Sequence, residues 1–264
     1  MDSLTHTLTG GVIARAISDE KIGKWGTIAG LAVGIFPDTD FVLGLFNHQF
    51  YLEYHRDFTH SILLVPFYSL FFSWLFMKIS KRPHFWSFYK ICLAVLVSHV
   101  ILDLLTSYGT MIFSPFFDQR YSWDLVFIID LVFSGIIFFP FLVSLFWRKR
   151  TQWICRGSII GLSLYILFCC VQHERAMGLA KDFTKNINEE VIQVASLPQP
   201  ISPFRWSNYV ETKDKVYQGF VDLLLKEPLP PIKKQTGPSS NFFILLERLK
   251  GLYQPPGKVD YRSY

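Results

Sequence analysis

Cysteine is scarce in this 264-residue chain, and its placement argues against a disulfide framework. Cys92, Cys155, Cys169 and Cys170 lie in or beside apolar runs, and none falls deeper in the polar C-terminal third. Excess charge is also small. The net +5 divides as +2 over residues 1–171 and +3 over 172–264, which leaves no nucleic-acid footprint. No basic segment precedes the N-terminal apolar run and Asp2 stands at its start, which disfavours a cleaved signal peptide. Two motif comparisons fail for want of a partner. The triplet His55-Arg56-Asp57 lacks the asparagine expected five residues beyond the aspartate and has no glycine-rich loop, which excludes a kinase catalytic loop. His173-Glu174 lacks a second histidine four residues after the first, which removes the helical zinc-protease motif.

What the chain does have is hydrocarbon. Half its residues are apolar, 26 are phenylalanine and the mean hydropathy is +0.27, values of a membrane protein. Ser61 to Met77 runs seventeen residues without a charge. Cys92 to Leu105 is interrupted only by His99 and Asp103, Leu125 to Trp147 only by Asp130, and Gly157 to Val171 by nothing charged. These four stretches are expected to span a bilayer. Ser3 to Ile17 and Trp25 to Phe36 are too short to cross ~30 Å of hydrocarbon unaided and read as two short helices packed into the bundle. Basic residues crowd two loops free of acidic ones, Lys78, Lys81, Arg82 and Lys90 in the first, Arg148, Lys149, Arg150 and Arg156 in the second. Both loops are therefore expected in the cytoplasm.

That topology brings scattered polar residues to one level. His99 and Asp103 stand four residues apart inside apolar sequence, just over one helical turn, so both side chains leave one helix face and can grip one ion. An aspartate at mid-bilayer costs roughly 2.5 to 3.5 kcal/mol on insertion scales, so it demands partners. With the basic loops inside, His55 and His60, Asp38 and Asp40, His6 and Asp103 all come toward the outer face. A neutral imidazole and a carboxylate at helical spacing suit zinc or a similar divalent ion, and seven such groups make a metal site the expectation. A buried His99–Asp103 hydrogen bond without metal is the plainer alternative. Arg56 can neutralise a phosphate or a developing oxyanion and, with Asp124, is assigned to catalysis. Asp124 and Asp130 can orient ligating histidines from outside the metal shell. Asp40 can alternatively cap a following helix, as can Thr59.

After residue 171 the chain turns polar and proline-bearing. An amphipathic helix is expected over Glu174 to Asn188 and a short strand over Val191 to Ala195. The three prolines of Leu197 to Phe204 give an extended connection. Alternation of Trp206, Asn208 and Val210 with Val216, Gln218 and Phe220 gives a β-hairpin. A last helix is expected over Ser239 to Leu252. The fold class is thus an all-α polytopic membrane helix bundle, residues 1–171, with a small C-terminal α+β extracytoplasmic domain, residues 172–264.

The order Met1-Asp2-Ser3-Leu4-Thr5-His6, Pro37-Asp38-Thr39-Asp40, His55-Arg56-Asp57-Phe58-Thr59-His60-Ser61, Ser98-His99 to Asp103 and Tyr108-Gly109 resembles the membrane-bound metal-dependent hydrolase family of the bacterial YdjM type. The stretch Leu197 to Trp206 is similar to longer members of it. A more distant resemblance is to the helical zinc phospholipases C and single-strand nucleases, from which this chain departs in lacking an N-terminal tryptophan ligand and a later His-x-x-x-Glu pair. The resemblance implies an inner-membrane hydrolase with divalent metal, zinc first, acting on a phosphoester or lipid-derived substrate at the outer face. Membrane lipids, not nucleic acids, are the implied partners. The rival expectation is a non-catalytic metal-binding membrane protein, an ion carrier or regulatory scaffold.

Overall fold

The structure is a computed structural model that describes residues 1–17, 19–46, 51, 54–187, 189–213, 215–224 and 262–263. Helix α1, Ser3–Ala16, starts where the Asp2 carboxylate accepts the Thr5 N–H at 2.9 Å, an N-cap that satisfies one orphan donor of the first turn. Helix α2, Lys24–Ile35, follows Gly23, whose φ of 55° favours glycine. The two helices run antiparallel at backbone contact. A Cβ on Gly30 would lie 2.4 Å from the Gly10 carbonyl oxygen and 2.5 Å from the Ala14 Cβ, and one on Gly34 would lie 2.7 Å from the His6 carbonyl oxygen. Small residues here let the backbones meet, as expected of the two short N-terminal helices.

A 3₁₀ turn over Pro37–Val42 and a helical turn over Leu43–Phe46 follow α2. Helix α3, Val65–Ser80, carries a proline in its first turn, where a missing N–H costs nothing, and ends on Lys81 in a left-handed conformation. Helix α4, Phe85–Leu104, buries Phe88, Ile91, Cys92, Val95 and Leu96 against α1, α2 and α3 and so forms the centre of the apolar core. Helices α5, Leu131–Phe146, and α6, Thr151–Thr184, complete the helical part among the described residues.

Two of the four expected spans are long and apolar enough to cross a membrane, Phe85–Leu104 and Arg148–Thr184. The other two are 16-residue helices, which rise about 24 Å and fall short of the ~30 Å core. The Leu125 to Trp147 run is shortened for a visible reason. Its first residues turn back on α4, with the Leu125 and Val126 N–H groups donating to the Leu105 carbonyl at 2.8 and 3.0 Å. Asp130 then starts α5 by accepting the Phe133 N–H at 2.9 Å, while its other oxygen accepts the Tyr165 hydroxyl at 2.7 Å. Asp130 is therefore a helix cap rather than an orienter of histidines. Ser61 to Leu64 likewise turn before α3 begins, so Thr59 caps no helix and its hydroxyl lies 3.0 Å from His60 Nδ1.

The chain divides into two compact units, Met1–Phe168 and Cys169–Tyr264, with the division inside α6. No separate amphipathic helix begins at Glu174, because the proline-free stretch beyond residue 171 continues α6 to Thr184. In the second unit β1, Val191–Pro198, β2, Arg205–Thr212, β3, Val216–Asp222, and the two-residue β4, Arg262–Ser263, form an antiparallel sheet in sequence order. The expected hairpin is present, with Asn208 opposite Gly219 and Val210 opposite Tyr217. The expected strand reaches three residues beyond Ala195, into the proline segment. Trp206 and Val221 pack with Ala176 of α6, and buried Asn208 donates to the Ala176 carbonyl at 2.9 Å while accepting the Ser196 hydroxyl at 2.7 Å. The helix expected at Ser239 to Leu252 lies outside the described residues.

At the sheet margin Glu189 accepts from Lys215 Nζ at 2.9 Å, Tyr217 at 2.8 Å and Thr212 at 2.9 Å. Lys215 first, then Tyr217 and Thr212, hold the Glu189 carboxyl below its ordinary value of 4.5. A depressed carboxyl stabilises the fold above that ordinary value and loses the contribution as pH falls through the lowered one. Amide exchange of β1 to β3, corrected for its intrinsic pH dependence, should therefore quicken as pH falls below 4.5, the ordinary value of the carboxyl. In Glu189→Gln that acid step should shrink, and an unchanged step would remove the assignment.

Candidate metal centre

The 3₁₀ turn after α2 delivers Asp38, a second 3₁₀ turn over Phe58–His60 delivers His60, and the last turn of α4 delivers His99 and Asp103. All four are buried. His60 Nε2 and His99 Nε2 are 3.2 Å apart. Asp103 Oδ2 lies 3.1 Å from the first and 3.3 Å from the second, and Asp38 Oδ1 lies 3.7 and 3.5 Å from them. A tetrahedral zinc site with bonds near 2.0 to 2.2 Å has ligand separations of about 3.3 to 3.6 Å. The five distances, 3.1 to 3.7 Å, therefore lie close to five edges of such a tetrahedron.

The tautomers agree with that shape. His99 Nδ1 is 2.8 Å from the Gly34 carbonyl oxygen, which can only accept, so that nitrogen carries the hydrogen. In its neutral form the ring then turns a lone pair on Nε2 toward two carboxylates. His60 Nδ1 lies beside the Thr59 hydroxyl, which can accept from it and so permits the same tautomer. Despite its closeness to both rings, Asp103 Oδ2 has no hydrogen-bond partner among the described residues, and neither has Asp38 Oδ2, the oxygen outside the donor set. Lone pairs and carboxylates aimed at one spot call for positive charge between them, supplied by an ion or by extra protons. The outer ring nitrogen of a ligating histidine ordinarily holds a backbone or side-chain acceptor in this way. The donor set thus fits a divalent ion of the zinc class.

His6 stacks on His99 with ring centroids 3.7 Å apart and an interplanar angle of 20°. Its Nε2 lies 3.2 Å from the other Asp103 oxygen, Oδ1, and one donor atom each from His6, Asp38, His99 and Asp103 lie within 4.8 Å of one another. Asp103 Oδ1 also meets Arg56 Nη2 at 2.8 Å and the amino group of Met1. Cations gather on Oδ1, and Oδ2 faces the histidines.

The seven expected ligands separate into two groups. Asp40 and His55 form a pair of their own, Oδ1 to Nδ1 2.9 Å, while the second Asp40 oxygen accepts the Arg56 N–H at 2.9 Å. Asp40 Oδ2 is 3.8 Å from His60 Nδ1, the nitrogen turned away from the donor set, and Asp40 caps no helix. Asp124 departs further from expectation. Its φ is 54°, and among the described residues its buried Oδ1 has no hydrogen-bond partner and no hydrogen bond or ion pair joins it to a histidine. The chain from Trp123 to Val126 is held by the α4 carbonyls of Leu104 and Leu105, which fixes Asp124 by its backbone.

Three supports escape a reading of spacing alone. They are the Gly34 carbonyl, the Thr106 hydroxyl that accepts from Arg56 Nη1 at 3.0 Å, and the Tyr108 ring 5.0 Å from the Arg56 guanidinium. Tyr108 had a signal, its place beside Gly109 in the motif series. Gly34 had none.

The uncharacterized protein YfhP of Bacillus subtilis (strain 168) is 30% identical over 235 residues, 83% of this chain and 68% of the relative. No solved structure matches. Residues 1–176 match the family described as YdjM inner membrane protein, a stretch that contains every residue of both groups. On that match the chain belongs to the YdjM inner membrane protein family.

Proposed function

We infer that the chain is an integral-membrane metal-dependent hydrolase acting on a phosphoester or lipid-derived substrate at the outer face of the cytoplasmic membrane. The observation that carries this reading is the Asp40–His55 pair built beside the donor set, since a purely structural metal site has no use for it. His60, His99, Asp38 and Asp103 would hold the ion. When bound, such an ion polarises a phosphoryl oxygen and lowers the pKa of water toward ~7. The protein's own groups supply the rest. Asp40 fixes His55 Nδ1 as the N–H, which leaves Nε2 free to take and return a proton. The His55 side chain keeps 14% of its surface open, enough for water to reach it. Arg56, oriented by Asp103, Thr106 and Tyr108, offers guanidinium charge to an anionic group.

One observation favours the rival, a non-catalytic metal-binding protein. Four protein atoms already fill a tetrahedron, whereas catalytic zinc keeps a position for water. Asp38 is the corner that can yield, because it makes the two longest edges and its side chain is 10% exposed. His55→Ala separates the readings. Under the hydrolase reading the purified variant keeps its metal and loses phosphoester turnover by about 100-fold or more, the usual scale for a general base. Metal lost together with activity would place His55 among the ligands and overturn the division of labour. Metal retained in a wild type that turns over no phosphoester would favour the rival.

A further inference from the structure

The segments that carry or clamp the donor set also carry exposed aromatic side chains. Phe41 follows Asp40, Phe58 precedes His60, and Phe113, Phe116 and Phe117 lie in the loop after α4, the last two 74% and 64% exposed. Backbone bonds fasten these segments to one another. The Met111 N–H donates to the Arg56 carbonyl at 3.0 Å, the Ile62 N–H donates to the Ile112 carbonyl at 3.0 Å, and the Ser61 hydroxyl donates to the Ser114 carbonyl. The Arg56 N–H, bonded to Asp40, closes the group. Within it the guanidinium carbons of Arg56 and Arg120 lie 5.0 and 5.7 Å from the Tyr108 ring.

Cationic groups inside and phenylalanine outside make an unfavourable surface in water and a natural one at the edge of a bilayer, where aromatic rings sit at headgroup level. A small phosphoester in solution would find charge but nothing for the rim to hold. A lipid presents both halves, a phosphate for the arginines and acyl chains for the rings. We propose that the substrate is a membrane lipid with an anionic phosphate headgroup, entering sideways from the bilayer past Phe58, Phe113, Phe116 and Phe117. This rests on the hydrolase reading above and adds to it the class of substrate and the route of entry.

Two measurements test it on the full chain in vesicles of phosphatidylcholine and phosphatidylglycerol. The first places a nitroxide at Phe116→Cys in a Cys170→Ser background, the other three cysteines being buried. Collisions with oxygen should exceed those with a water-soluble nickel chelate. Dominant nickel collisions, or shielding from both reagents by a second copy of the chain, would overturn the proposal. The second compares one phosphate headgroup on short, water-soluble chains and on long, bilayer-forming chains. Phe116→Ser with Phe117→Ser should leave metal content and short-chain turnover unchanged and lower long-chain turnover roughly tenfold or more. Long-chain turnover by the double variant equal to that of wild type would overturn lipid entry. If the wild type hydrolyses neither, the hydrolase reading fails by itself, and the nitroxide result still upholds or overturns the lipid-facing rim.

Discussion

His99→Ala should strip the purified protein of metal. Wild type is expected to carry stoichiometric divalent ion by elemental mass spectrometry, and the variant should fall by more than about 100-fold in affinity, since losing even an outer partner of a ligand typically costs 10- to 100-fold. The reason lies in the shared geometry. His99 Nε2 takes part in three of the five measured edges of the donor set, so its removal opens the tetrahedron on three sides. Removing the ring also strands Asp38 and Asp103 as neighbouring buried anions, which costs several kcal/mol unless one takes up a proton. A size-exclusion profile like that of wild type is the control for folding. Equal metal content in both proteins would end the metal assignment.

Gly30→Ala should do comparable damage by a different route. The new Cβ would meet the Gly10 carbonyl oxygen at 2.4 Å and the Ala14 Cβ at 2.5 Å, and a backbone carbonyl has no rotamer by which to escape. Helices α1 and α2 must part, at a cost of roughly 1 to 3 kcal/mol for overpacking and more where backbone has to move. His6 lies on α1 and the Gly34 carbonyl on α2, so metal content should fall together with the thermal midpoint in detergent. Gly157→Ala in α6 is the contrasting variant. Nothing lies within 4 Å of a Cβ there, and alanine in a helix interior should raise stability by about 0.5 to 1 kcal/mol. A Gly30→Ala protein as stable as wild type would show that the two helices do not meet as described.

Which residues could be read from sequence follows from what local spacing encodes. His99 and Asp103 were legible because a helix turns spacing directly into direction, and the Asp130 interruption was legible as a polar group in need of a partner. Its partner was not, because Tyr165 lies thirty-five residues away in another helix. The separation of Asp40 and His55 from the other five expected ligands was equally hidden. Asp38 and Asp40 sit in one turn and His55 and His60 in one segment, yet one member of each goes to the donor set and the other to the outer pair. Only the fold of the 3₁₀ turns makes that choice. The extent of α5 failed for a local reason that hydropathy does not weigh, since Leu125 to Ile129 are as apolar as a span but are held by the end of α4. The hairpin of β2 and β3 succeeded because alternation and a short polar turn suffice to set a register.

The 16-residue lengths of α3 and α5 bear on the lipid around the molecule as much as on the molecule. Set in a bilayer about 30 Å thick, helices some 6 Å too short draw the two leaflets toward each other along their flank. Acyl chains in that pinched annulus are splayed and imperfectly packed, and withdrawing one from its neighbours takes less work there than in undisturbed membrane. If lipid enters as proposed, membrane thickness becomes a variable that sets how readily this protein is fed.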